Sequence, residues 1–567
     1  MPSLVDASLR HAAHYVDMLR DADRSYQEGG ESTLQALNTF DLAWENIRSG
    51  QSKARDYASS DGRAAELCNL YPMLGANLLN LRFNPQEHIR WIEIALESAR
   101  RLRDRKSEAI HLSNLGLACE DVGDLRRGLE CQQQSLTIAR EVGDRHTEET
   151  TLGNLGAIYQ ALNQHHQAIE CYEQQFEIAR EIGDRRGEAN ALMDIGNSHS
   201  HLGNPRLAID FYDRASSIFR ETQNRQGEGQ ILSNLGNAYA DLGEPHRAIE
   251  LYEQSLAIAR ELGDKSGEGI TLGSIGAAYT DLGEYHRSLE NYEQWISISR
   301  EIGDRRREGV ALSHLGGVYE ALGESRKAIE CHEQALDIAR AIGDRGGEGI
   351  ALTNLGAAYR GLGDYRRAIE CQGEALVIHR ETGDRRGEQA ALGNLGLALH
   401  SAGRYEEAIP LYQAALEIAK ETEDRRTEAN CMMNMGTAYY NLNEYGRSVE
   451  LLKQSIALFR EIEDRYHEGM ALGNLGNSYW ETGETELAMV CHSQSLEIAR
   501  ETGDLRGEAN ALFNLGVTLR KLGDMDQAIV NAEAALEIYT RIEDPNATKV
   551  RERLSEWRQE LGKEPST

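Results

Sequence analysis

Proline is scarce in this chain, at 8 of 567 residues, and aromatic residues make up only 6%. Few prolines leave long stretches free to form helix. Few aromatics, beside abundant Leu, Ala, Glu and Arg, argue against a sheet-rich fold. No run approaches the roughly 18–20 apolar residues of a membrane span, and the N-terminus lacks the basic-then-apolar pattern of a secretory leader. Positive charge is in deficit: 61 Lys and Arg stand against 92 Asp and Glu, for a formal net charge of −31. Nucleic acid and anionic membranes are therefore poor partners, and a ligand with basic or mixed charge is easier to accept. The signatures of chemistry are missing too. There is no Gly-x-x-x-x-Gly-Lys-Ser/Thr loop, no His-Glu-x-x-His, no Cys-x-x-Cys or Cys/His cluster at zinc spacing, and no Gly-x-Ser-x-Gly. No enzymatic activity, cofactor or metal is expected, and His165-His166 reads as a solvated pair in an interhelical turn.

Glycine, by contrast, is plentiful at 54 residues. Its positions explain why. Gly116, Gly156, Gly196, Gly236, Gly276, Gly316, Gly356, Gly396, Gly436, Gly476 and Gly516 follow one another every 40 residues without insertion, and Glu holds one register from Glu108 to Glu508. A repeat of this length is the mark of a solenoid. Five cysteines (Cys131, Cys171, Cys331, Cys371 and Cys491) share one repeat position. Equivalent positions lie too far apart for routine disulfides, so they read as small buried residues in a reducing compartment, and the protein is expected to be cytoplasmic.

The unit 224–263 shows the internal logic. Asn224, in place of the usual Asp, caps helix A; Leu232, Leu235 and Tyr239 recur at helical spacing around Gly236. Gly243-Glu244-Pro245 makes the turn, and helix B carries Ala248, Ile249, Tyr252, Leu256 and Ile258 before Gly263 closes it. One set of glycines thus ends helices, and the other lets helix B approach helix A. The repeated Asp-Arg-x-x-Glu, as in Asp184, Arg185 and Glu188, reads as capping and ion pairing rather than acid–base chemistry.

Helix A's Leu-x-x-Leu-Gly-x-x-Tyr (Leu232, Leu235, Gly236, Tyr239), with Ala248, Tyr252 and Ser255 on helix B, resembles the tetratricopeptide signature. The lengthened unit is similar to the repeats of the Pins/LGN polarity adaptors and of kinesin light chains. The resemblance implies an all-α, right-handed superhelical solenoid of helix-turn-helix units, with helix A lining an inner groove. The expected organisation is an N-terminal helical cap at 1–60, a degraded repeat at 61–103 (helix from Ala64 to Leu81, turn at Asn84-Pro85, helix from His88 to Arg101), eleven repeats at 104–543, and a capping helix and tail at 544–567. Two amphipathic helices are expected in 4–50, split at Gly29-Gly30. His11-Ala-Ala-His-Tyr15 and Leu42-Ala-Trp-Glu-Asn-Ile47 resemble the segment that precedes repeats in bacterial signal-transduction ATPases with a helical sensor arm.

The residue two before the repeat glycine lies away from the apolar stripe. It is Asn at Asn114, Asn154, Asn234, Asn354, Asn394, Asn434, Asn474 and Asn514, with Asp194, Ser274 and His314 as exceptions. A side-chain amide offers both donor and acceptor to the backbone of an extended peptide. It can equally bond a neighbouring repeat and align the stack. Relatives that bind peptides use Asn at the matching position, so the resemblance implies an asparagine ladder here. Six residues further on stand Arg360, His400, Tyr440, Trp480 and Arg520, types that anchor binding energy. The expected function is a non-catalytic scaffold for an extended protein or peptide segment, with its main site in the C-terminal half. The alternative is a sensor or regulatory arm working with a separately encoded signalling or defence ATPase or protease. Self-association is compatible with either.

Overall fold

The computed structural model describes residues 4–28, 31–74, 78–79 and 84–561. Among these, every regular element is a helix. Four precede the repeats: α1 (Leu4–Glu28), α2 (Glu31–Ala58), α3 (Gly62–Leu74) and α4 (Pro85–Leu102). Eleven helix pairs follow, from Arg105–Asp121 and Leu125–Val142 to Leu505–Lys521 and Met525–Arg541, and a terminal helix spans Asn546–Leu561. The split at Gly29-Gly30 and part of the helix expected to reach Leu81 lie outside the described residues; α3 itself is described to Leu74. The chain divides into two compact units, Met1–Leu282 and Gly283–Thr567.

Local chemistry explains the pairs. Asn224 accepts the Gly227 N–H at 3.0 Å, and the Asp at the same place in the other repeats does likewise, as Asp344 does for Gly347 at 2.9 Å. These caps satisfy N–H groups that the first helical turn leaves open. Gly263 closes helix B with φ +67° in the left-handed region. His165 opens a helix B (His165–Ile182) instead of standing in a turn, and its ring stacks on His201 at 5.2 Å.

In the first unit, α1–α4 form their own core around Val16, Leu19, Phe40, Ile47, Tyr71 and Trp91. Tyr71 Oη donates to the Ala12 carbonyl at 3.0 Å. α3 joins the first repeat through Asn69, which donates to Ser107 Oγ at 3.3 Å and meets His111 Nε2 at 2.6 Å. In the second unit the last repeat is covered by the terminal helix, whose Val550, Leu554 and Trp557 are buried against Leu512, Ala532 and Tyr539.

Candidate functional site

The recurrent glutamate is part of the frame. Glu348 Oε1 takes Arg340 Nε at 2.8 Å and its Oε2 takes Arg345 Nη1 at 2.6 Å; Arg345 also reaches Glu381 at 2.7 Å. Arg340 closes the preceding helix B, so this buried carboxylate ties one repeat to the next. The same double clamp recurs at Glu108, Glu148, Glu268, Glu308, Glu388 and Glu468. In Glu108, Glu268, Glu348 and Glu388, burial alone would raise the carboxyl, but the two flanking cations hold it below its ordinary value.

The asparagine row lies half-buried on helix A in both units. Four of its amides donate backwards to the preceding repeat: Asn154 to Ser113 Oγ at 3.0 Å, Asn234 to Asn197 Oδ1 at 3.0 Å, Asn474 to Thr437 Oγ1 at 3.3 Å, and Asn514 to Asn477 Oδ1 at 3.1 Å. Each bond uses the NH₂ and leaves the carbonyl oxygen as an acceptor. Asn114, Asn354, Asn394 and Asn434 make no side-chain hydrogen bond among the described residues. In the same row, Asp194 is pushed up to about 6 by burial, with Asn197 opposing.

The residues six positions on stand about 9 Å further along helix A and roughly 120° around it. They flank the asparagine row rather than continue it. His400 packs on Tyr405 at 5.0 Å and meets Asn441 at 3.3 Å, Tyr440 lies 5.7 Å from Tyr445, and Lys521 sits 4.7 Å over Trp480. Arg520 is committed to Glu560 of the terminal helix at 2.9–3.0 Å. Arg360 keeps a buried Nε without a partner among the described residues.

A further row was not singled out from the sequence. Four residues before the ladder position, Val310 (before His314), Ile350 and Met470 in the second unit and Ile270 (before Ser274) in the first are exposed apolar side chains. Asn474 and Asn514, with Asn477 and Asn510, line a cavity of about 450 Å³ between the last two repeats and the terminal helix, and Met470 and Phe513 give it apolar walls. A cavity of about 470 Å³ occupies the same repeat positions in the first unit, around Gly229, Asn234, Ser255 and Gly267, and there Ile270 replaces Asn510.

The tetratricopeptide repeat model matches residues 107–181, 147–221, 227–301, 307–381, 388–461 and 467–541, and a second model of the same repeat matches 350–422. The chain belongs to the tetratricopeptide repeat family. Among curated proteins no significant match is found. Similar solved structures include BtubC (BKLC) from P. vanneervenii, 21% identical over 39% of this chain and 93% of that one, with a TM-score of 0.36. The apo form of RapI is 16% identical over 63% and 98%, with a TM-score of 0.46. A Rap protein complexed with Competence and Sporulation Factor is 14% identical over 65% and 99%, with a TM-score of 0.43.

Tetratricopeptide repeat proteins are in general protein-interaction scaffolds rather than catalysts, and one contact that mimics a catalytic arrangement fits that rule. His379 meets Asp384 at 2.9 Å and Thr353 Oγ1 at 3.3 Å, but the Thr353 hydroxyl already donates to the Gly349 carbonyl at 2.9 Å. Its proton is therefore not directed at the imidazole as a nucleophile's would be. Among the described residues no helix is long and apolar enough to cross a membrane.

Proposed function

We propose that this tetratricopeptide repeat protein is a non-catalytic scaffold that holds an extended segment of a partner protein along helix A of the second unit, through the ladder Asn354, Asn394, Asn434, Asn474 and Asn514. The observation that carries the reading is the state of those amides. Asn354, Asn394 and Asn434 keep both donor and acceptor, and Asn474 and Asn514 keep the acceptor after bonding the preceding repeat. Three residues of extended chain span about 10 Å, comparable with the roughly 8–10 Å between the axes of packed helices, so an extended peptide can offer every third residue to successive repeats. Val310, Ile350 and Met470 offer apolar contact beside the ladder, and Arg360 offers a guanidinium to an acidic side chain. The cavity at Asn474 and Asn514 has the size of a side-chain or small-ligand site.

The test is affinity capture with the wild type beside Asn354→Ala/Asn394→Ala/Asn434→Ala. Their side chains make no hydrogen bond among the described residues, so the variant is expected to keep its helical circular dichroism and melting temperature. Recovery of the wild-type partners should fall at least tenfold. A folded variant that captures the same partners equally well removes the ladder from the interface.

A further inference from the structure

One junction of the first unit departs from its sister repeats in a way that bears on metal binding. In four repeats the second residue of helix A is cationic and neutralises the aspartate at the start of the next helix A or, for Asp544, of the terminal helix. Lys106 reaches Asp144 at 3.1 Å, Arg306 reaches Asp344 at 3.1 Å, Arg426 reaches Asp464 at 3.4 Å, and Arg506 reaches Asp544 at 2.7 Å. In the second repeat this place is held by His146, and the next cap is Asp184. Three residues further, where the sisters have Ala, Gly or, once, Gln, stands Glu149, a carboxylate only 5% exposed. The glutamine sister, Gln389, bonds its facing cap by giving Nε2 to Asp424 Oδ2 at 3.0 Å. An ionised Glu149 has no proton to give.

The potential ligand atoms of His146, Glu149 and Asp184 all lie within 4.8 Å of one another. Asp184 spends Oδ1 on the Gly187 N–H at 2.9 Å as the helix cap, which leaves Oδ2. Gln175 stands where the sister repeats have Ser, Ala or Trp. It is more than nine-tenths buried, donates Nε2 to Glu149 Oε1 at 3.0 Å, and has no partner for its own Oε1 among the described residues. An amide that fixes a buried carboxylate in this way is the support commonly found behind a ligating group.

We propose that His146, Glu149 and Asp184 form a divalent-cation site of the zinc class that clamps the second repeat to the third. One imidazole nitrogen and two carboxylate oxygens are a mixed donor set suited to Zn²⁺, with water completing four-coordination. Donors about 2.0–2.2 Å from such an ion stand about 3.4 Å apart, so ligand atoms that lie within 4.8 Å of one another have to draw together on binding, and the exposed His146 ring is the member with room to move. The charge fits as well: two carboxylates and a neutral imidazole are balanced by one divalent ion, as a single cap aspartate is balanced by Lys or Arg in the sisters. The site is independent of the asparagine ladder.

The test is calorimetric titration of the EDTA-stripped full chain with ZnCl₂ alone, beside His146→Arg and Glu149→Ala. Each substitution installs a residue type that sister repeats already carry, so both variants are expected to fold, and circular dichroism checks this. The wild type should take up one equivalent that each variant binds at least tenfold more weakly, and Zn²⁺ should raise the melting temperature of the wild type alone. Absence of wild-type uptake overturns the proposal. So does uptake that is unchanged in both variants, which would place the ion on other histidines such as His165 and His201.

Discussion

Asp194 stands where eight sister repeats have asparagine, and burial pushes its carboxyl up to about 6 from an ordinary value of 3.8. The folded state therefore holds a proton that the unfolded state has released between those two values. Stability falls as pH rises through that window and stays lower above it. Asparagine keeps the shape and removes the charge. Asp194→Asn is expected to stabilise the first unit by about 3 kcal/mol at pH 8 and by little below pH 4, read from urea midpoints at both. Equal midpoints at pH 8 would mean that the carboxylate is already compensated. His492 has the opposite pH dependence. Buried under Gly476, its imidazole is lowered to about 4 from 6.5, so the unfolded state binds the extra proton and stability is lost as pH falls from 6.5 towards 4. Glutamine occupies the same place elsewhere and bonds a helix A carbonyl: Gln132 donates to Ser113 at 2.9 Å and Gln372 to Thr353 at 2.7 Å. His492→Gln should leave stability at pH 7.5 nearly unchanged and recover about 2 kcal/mol at pH 4.5, measured by urea unfolding at the two pH values. An equal acid sensitivity in the variant would place the titrating group elsewhere.

Within one helix pair the decisive contact is between the repeat glycine and the ring beneath it. A Cβ on Gly396 would lie 2.6 Å from the Tyr412 ring. Alanine is the better helix former by about 1 kcal/mol, but forcing the helices apart costs more. Gly396→Ala should lower stability by about 1–3 kcal/mol, seen as a lower melting temperature; an unchanged or raised value would show that the ring moves aside freely. This contact was legible in the sequence, as were the Asp and Asn caps and the glutamate clamp, because each recurs in one register and depends on partners at fixed offsets. The candidate site was less legible. A single helix wheel assigns angles, but it does not see that Arg520 is taken by Glu560, or that Asn474 and Asn514 bond residues 37 positions earlier. The same wheel hides the exposed Val310, Ile350 and Met470, which at four residues before the ladder position read as part of the buried stripe. The junction of His146, Glu149 and Asp184 escaped a motif search because one of its members belongs to the next repeat.

At the scale of the whole chain, each repeat has its own caps and shares its core mainly with its neighbours, so stability is expected to be nearly one-dimensional. The consequence is sharpest at the terminal helix. Trp557, 1% exposed, stacks on Phe513 at 6.2 Å with the planes 4° apart, and the ion pair of Arg520 with Glu560 braces the same helix. Removing the indole leaves a cavity worth about 3–5 kcal/mol at this end. In a single cooperative globule that loss would weaken every amide alike. In a nearest-neighbour array it should fray the end only. Trp557→Ala is therefore expected to abolish much of the hydrogen-exchange protection of residues 504–561 while residues 344–423, several repeats away, keep theirs. Equal loss across both segments would show that the second unit unfolds as one body. Local loss would also expose Phe513 and Asn514 in the terminal cavity, so the same variant should weaken any ligand seated there before it weakens one held at Asn354 and Asn394.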